Sequence, residues 1–379
     1  MRNKYLKRIT FGLLVGILIV LAFATILEKL YGSDFVLNHI YHSRWFVLLW
    51  AILGMASFIY AINRRLYQQP AAFLLHGAFV VILAGAFISY ISSERGYLHL
   101  RQGKPLNSFI LDDDVTEKPL PFEIKLVLFE IEYHPGTEEP ADFMSFLMID
   151  SEICRVSLNK IHVHKGYRLY QIDYDRDEMG SILLVSHDPY GIAITYVGYI
   201  FLAISMLWLL WLRISRKWLV CLLIPIVAVW LYISRINPMT PILRTPMLAM
   251  HVSVIVISYL LLLYMAVTAI IGISSKNKRQ RLYVWNSRLL YPALFLLAAG
   301  IFIGAVWANI SWGRYWGWDA KETWALITML VYALPMHKRS FNGFANPLIF
   351  HRYCLMAFLT VLMTFLGVSF LLGGIHSYL

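Results

Sequence analysis

Nine stretches of this chain are apolar over roughly the length that a helix needs to cross a bilayer: residues 9–27, 46–62, 71–92, 191–212, 218–234, 248–272, 289–308, 320–337 and 353–373. Nothing else in the sequence narrows the fold as much. Backbone polar groups in hydrocarbon have no water to bond, so a spanning segment must be a helix or a strand of a closed barrel. Runs of 17 residues or more with few charges are helical in length and character. Stretches 46–62 and 218–234 are the shortest. The chain is 59% hydrophobic and 15% charged, which sets it apart from soluble globular proteins. The first stretch follows MRNKYLKR, as a signal peptide would. Glu28-Lys29-Leu30-Tyr31 then stand where a small-residue cleavage site belongs, so the segment reads as an uncleaved anchor.

The charges orient the spans. With a cytoplasmic N-terminus, the cytoplasmic segments are 1–8, 63–70, 213–217, 274–288 and 338–352. They hold 17 of the 33 Lys and Arg and none of the 22 acids. This is the positive-inside pattern. The net charge of +11 therefore reports topology, and basic residues scattered over five short loops do not make a nucleic-acid surface. The expected topology puts the C-terminus and residues 93–190 outside the cytoplasm.

Residues 93–190 form the one large polar segment, with 18 acids against 10 bases. FEIKLVLFEIEY (122–133) and YRLYQIDY (167–174) carry strand-like patterns. Turn signals sit at Gly103-Lys104-Pro105, Pro135-Gly136 and Asp188-Pro189-Tyr190-Gly191. A small antiparallel β-domain is expected, its modest core packed on the spans or on a partner. The expected fold is thus an all-α polytopic membrane protein of about nine transmembrane helices with one small extracytoplasmic β-rich domain.

Five of the 12 tryptophans fall between Trp307 and Trp324, in a loop reading Trp312-Gly313-Arg314-Tyr315-Trp316-Gly317-Trp318-Asp319 and on to Lys321 and Trp324. Aromatic faces suit a flat apolar macrocycle, and Arg314 and Lys321 suit its carboxylates. An interfacial aromatic belt is the plainer alternative, but a belt spreads its rings over many helix ends. Asp319, followed by Glu322, reads as a helix cap ahead of a direct ligand contact.

This string resembles the tryptophan-rich WWD signature of the haem-handling family that includes CcsA/ResC, CcmC and CcmF. Ala320 stands where the family often has proline. PAAFLLHGAFVVILAGAF, HKGYRLYQIDY and DPYGIAITYVGY resemble more loosely the CcsB/ResB partner, in a compressed form. The two resemblances together suggest a fused CcsBA-type synthase. Its parts would be N-terminal spans over 1–92, the β-rich domain over 93–190, connecting spans over 191–234, and a CcsA/ResC-like domain over 235–379 with the WWD loop at 307–324.

Twelve histidines test this topology independently, and four are singled out by depth. His251 opens the sixth span and His376 follows the ninth, both on the outer side and flanking the tryptophan loop. His76 and His337 lie at matched depth near the inner face. Interfacial polarity or a bond to a neighbouring helix is the alternative for each, although an ionisable group such as His76 within hydrocarbon points to function. The same four positions match the family's two outer and two inner haem histidines. His162 and His164 share a strand face that suits a metal or plain solvation. His39, His42 and His351 read as loop or interface residues.

Cys154, Cys221 and Cys354 are scattered, with no CxxC or CxxCH, so the chain is not itself a c-type cytochrome or a thiol oxidoreductase. No GxxxxGK[ST] string is present. The resemblance implies a holocytochrome c synthase that carries haem b across the membrane and joins it by thioethers to the CxxCH of apocytochrome c. His76 and His337 would ligate iron first. His251 and His376 would then hold it at the loop and act in attachment. Implied partners are apocytochrome c and membrane lipid, with room for a thiol-reducing membrane partner and none for nucleic acid. Two alternatives remain: a haem exporter or chaperone without catalysis, and a bis-histidine b-type electron-transfer subunit.

Overall fold

The computed structural model describes residues 2–112, 115–133, 136, 138, 140–158, 160–213, 216–235 and 245–372. Helix α1 (Arg2–Tyr31) is followed by a short helical turn through Tyr41, then α2 (Arg44–Asn63) and α3 (Pro70–Ser92). Eight strands come next: β1 (Glu94–Arg101), β2 (Pro105–Leu111), β3 (Glu117–Tyr133), β4 (Pro140–Ile149), β5 (Glu152–Ser157), β6 (His162–His164), β7 (Tyr167–Tyr174) and β8 (Gly180–His187). The chain then returns as α4 (Gly191–Arg213), α5 (Arg216–Arg235), α6 (Pro246–Ser274), α7 (Lys276–Trp312), α8 (Ala320–Ala333) and α9 (Pro347–Leu362). The last of these runs on as a π-helix, Met363–Leu372.

The expectation of an all-α protein with nine spans and a small β-domain is corrected on two counts. The chain is 67% helical but also 20% strand, and its sheet is large. Among the described residues seven helices are long and apolar enough to cross a membrane. Stretch 218–234 falls in α5, which carries Pro225 inside it; among the described residues its apolar run is Ile224–Ile233. Stretch 320–337 divides, because α8 has 14 residues and gives way to a tighter 3-10 turn, Leu334–His337, with a proline in its first positions. Fourteen residues rise about 21 Å, short of the roughly 30 Å hydrocarbon core.

The sheet is antiparallel throughout, in the order β5-β4-β3-β2-β1-β8-β7-β6. It rolls over on itself. Ser145 of β4 donates to Gln171 of β7 at 2.6 Å and lies 2.7 Å from Ser181 of β8, although these strands are not neighbours in the ladder. Leu98, Leu100, Phe109, Ile124, Leu126 and Leu147 fill the interior. Rolling explains why the sequence understated this domain. β8 is buried on nearly every residue, so it lacks the period-two alternation that marks a strand.

The sheet is inserted between two tightly packed helices. A Cβ on Gly85 of α3 would lie 2.3 Å from Thr195 Oγ1 of α4, and one on Gly191 would lie 2.1 Å from Ser89 Oγ. Such close backbone approach is the usual basis of helix association in lipid. It clamps both stems of the β-domain beside the end of α7. A second core joins α6, α7, α8 and α9 through Met265, Leu297, Tyr332 and Phe350. A third joins α1, α2 and α8 through Leu21, Phe46 and Ile327. The N-terminal helices and α8 therefore share one interior.

Candidate functional site: a histidine pair and an aromatic loop

His76, near the start of α3, and His337, at the end of the turn after α8, are far apart in sequence and adjacent in space. Their ring centres lie 6.0 Å apart with planes at 85°. His76 Nδ1 is 2.8 Å from the Ala72 carbonyl, and His337 Nδ1 is 3.0 Å from the Ala333 carbonyl. A carbonyl only accepts, so each Nδ1 carries the proton and each Nε2 carries a lone pair. This carbonyl-anchored tautomer is the one that metal-binding imidazoles adopt. Two imidazoles sharing one iron, with nitrogen–metal bonds of about 2 Å, place their ring centres roughly 6 Å apart. The ring-centre separation of His76 and His337 is of this size. Phe11 of α1 meets His337 edge-on at 5.7 Å.

At the other end, α7 stops at Gly313, whose φ of 74° is the left-handed conformation common at helix ends. A Cβ there would sit 2.8 Å from Tyr170 Cε2 and 3.0 Å from Leu184 Cδ2, so β7 and β8 press directly on the start of the loop. Tyr170 donates to the Asn309 carbonyl at 3.2 Å, and Asn309 donates to Tyr196 at 3.1 Å. Tyr315 turns towards α4, donates to the Ile192 carbonyl at 3.3 Å, and packs against Tyr196 and Tyr199. Trp312 meets Trp307 edge-on at 4.7 Å. Trp318 lies flat on Tyr41 at 4.7 Å and 8°, with Phe46 and Trp316 at its edges. Its φ of 56° is a strained conformation for an aromatic residue. Trp324 donates to Thr25 of α1 at 3.1 Å.

Asp319 caps α8 by accepting from the Lys321 amide at 2.8 Å, as the sequence suggested. Glu322 reaches back past the cap to the Gly317 amide, also at 2.8 Å, and so ties down the loop itself. The guanidinium of Arg314 lies 3.2 Å from where a Gly317 side chain would begin. Arg95, 3.7 Å from Asp112, lies near enough to Arg314 to feel its charge. Burial pushes the His42 imidazole below its ordinary pKa, and Arg95 and Arg314 add to the shift. The loop thus has a basic side. Four buried polar atoms cluster here without a hydrogen-bond partner: Trp307 Nε1, Asn309 Oδ1, Ser311 Oγ and Trp316 Nε1. Such a concentration is unusual in a finished core and suits a surface that receives a ligand.

His251 packs against α7, its Nδ1 donating to the Gly300 carbonyl at 2.7 Å and its ring filling the space over Gly304. That places it about two helical turns, some 12 Å, before Trp312. His376 and His134 lie outside the described residues. His162 and His164 do share a face, with rings 6.3 Å apart and His164 bonded to Asp150. Among the described residues no group of three or more His, Cys, Asp or Glu could hold a metal ion. His351 is not a loop residue. It is fully buried and donates from Nε2 to the Arg279 carbonyl at 3.1 Å, pinning α9 to the α6–α7 hairpin. Tyr41, Phe46, Thr25 and Phe11 belong to the two sites and carry no sequence signal; only the fold brings α1 and the 33–41 turn against α8.

The ResB-like family matches residues 66–188, and the Cytochrome C assembly protein family matches residues 189–376. The chain belongs to the fused ResB/CcsA-type family of cytochrome c biogenesis proteins. It is 36% identical over 169 residues to Protein NrfI of Wolinella succinogenes, covering 39% of this chain and 18% of that protein. To the cytochrome c biogenesis protein CcsA of Chlamydomonas reinhardtii it is 37% identical over 158 residues, covering 38% of this chain and 44% of the relative. For CcsA of Guillardia theta the figures are 34% over 175 residues, 38% and 58%. The chain thus spans less than two thirds of each of these relatives.

Proposed function

We infer that this protein accepts haem b at the inner histidine pair, passes it to the aromatic loop on the far side of the membrane, and attaches it to the CxxCH segment of apocytochrome c. The observation that carries this reading is the meeting of His76 and His337, with ring centres 6.0 Å apart and each Nδ1 held by a backbone carbonyl. At the loop, Trp312, Trp316, Trp318 and Trp324 offer apolar faces and Arg314 meets a propionate, while Gly313 lets the sheet seat against the loop and Gly317 leaves room for the Arg314 guanidinium. Tyr315 and Asp319 brace the loop against α4 and α8. His251 and His376 are the proposed outer iron ligands.

Attachment is an addition. Each cysteine sulfur bonds to one vinyl carbon of haem and the thiol proton goes to the neighbouring carbon, so nothing leaves and no electrons are lost. The protein contributes position, holding vinyl groups and thiols together, and this alone lowers such a barrier substantially. The topology that goes with this reading has the N-terminus in the cytoplasm of a bacterial inner membrane, with residues 93–190 and the C-terminus outside.

Co-expression with a CxxCH apocytochrome, in a host without its own maturation system, tests the reading. Haem that stays with the polypeptide in denaturing gels is expected; a cytochrome free of haem would refute synthesis. The burial of the inner pair within a helix bundle also favours a second reading, electron transfer through a b-type haem. Rapid reduction of the purified protein by a quinol would decide for it.

A further inference from the structure

A groove of about 550 Å³ opens between the start of α1 and the segment joining α8 to α9, lined by Lys7, Phe341, Phe344, Ile349 and Tyr353 among others. That volume suits an organic ligand of moderate size. Among the described residues that line it, Lys7 alone is charged. Lys7 Nζ rests over the Phe341 ring, 4.9 Å from its centre. Phe11, one turn along α1, meets the same ring at 4.5 Å and the His337 ring at 5.7 Å. Phe344 and Tyr353 pack edge to face at 4.8 Å. Aromatic contacts therefore run without a break from the groove through Phe341 and Phe11 to His337 and His76. Lys338, next in sequence to His337, is held elsewhere by Tyr283 and Ser287 at 3.2 and 3.0 Å.

We propose that this groove is the inlet through which haem reaches the inner pair. The flat macrocycle lies on the groove's aromatic rings, one of its carboxylates pairs with Lys7, and Phe11 swings aside to admit it to His337. The inlet rests on the reading that His76 and His337 hold haem. An ammonium on a flexible stem can follow a carboxylate as the ring moves inward. Its cation–π contact with Phe341 is weak enough at a groove mouth to be exchanged for that partner.

Full-length protein in lipid nanodiscs, freed of haem, is mixed with hemin or with hemin dimethyl ester, which lacks the carboxylates, and Soret absorbance is followed in time. Lys7→Glu should slow hemin uptake about tenfold, the scale of charge steering into a cleft. It should leave uptake of the ester unchanged and still end at a six-coordinate low-spin spectrum. Lys7→Arg should keep the wild-type rate, and Phe11→Trp should slow both probes. Unchanged hemin uptake in Lys7→Glu would overturn the inlet, as would equal slowing of both probes by that variant. A wild-type protein that takes up no hemin would instead remove the haem reading itself, and the inlet with it.

Discussion

At the scale of single residues, the inner pair depends on two nitrogens. His337→Ala leaves His76 as the lone imidazole, so bound haem should shift from six-coordinate low-spin to five-coordinate high-spin, and added imidazole should reverse the shift in the Soret and α bands. An unchanged spectrum in both His337→Ala and His76→Ala would show that the pair does not ligate iron. Gly313 makes a separate demand. Its φ of 74° costs an L-residue roughly 1–2 kcal/mol, and a Cβ would collide with Tyr170. Gly313→Ala should therefore loosen the contact between sheet and loop. The expected result is a lower cytochrome yield with the inner haem spectrum intact, measured on the same preparation.

At the scale of elements, α8 is held by its cap and by Glu322. Removing an N-cap costs about 1 kcal/mol. Asp319→Ala should lower the thermal midpoint of the detergent-solubilised protein by a few degrees, while Asp319→Asn, which keeps an acceptor, should stay near wild type. Glu322→Ala frees the Gly317 amide and should affect cytochrome yield more than stability, because the bond it removes belongs to the loop. Equal effects of the two substitutions on yield and on midpoint would argue that the loop and the helix act as one piece. The clamp between α3 and α4 is a third element-scale feature. A bulky side chain at Gly85 meets the Thr195 backbone within about 3 Å, so the helices must part and carry the stems of the β-domain with them.

At the scale of the whole molecule, topology is the quantity to measure. Reporter fusions within 274–288 should read as cytoplasmic and fusions near Glu138 as outside, because the first segment carries five bases and no acid while the second lies in the acidic β-domain. The opposite pattern would place the tryptophan loop on the cytoplasmic side and end the proposed route. The N-terminal segment ahead of the ResB-like match shares an interior with the Cytochrome C assembly region: Trp324 bonds Thr25, and Trp318 lies on Tyr41. The C-terminal region expressed alone should therefore lose both contacts and attach haem poorly, and co-expressed residues 1–188 should restore part of the yield.

The sequence by itself determined the membrane character, the tryptophan loop and the cap at Asp319, and its charges imply the orientation that the fusions test. Each of these is local, written in the residue types of one short segment. His76 and His337 were legible as a pair because topology converts sequence position into depth. Only the tertiary structure decided the rest. Alternation is lost when both faces of a strand are covered, so the rolled sheet was larger than its pattern announced. A span can be replaced by a short helix and a 3-10 turn when neighbouring helices bury it, as α1, α7 and α9 do for α8. Tyr41 beneath Trp318, Phe11 beside His337 and Lys7 at the groove arise from contacts hundreds of residues apart, and no local pattern encodes which distant side chain a ring will meet.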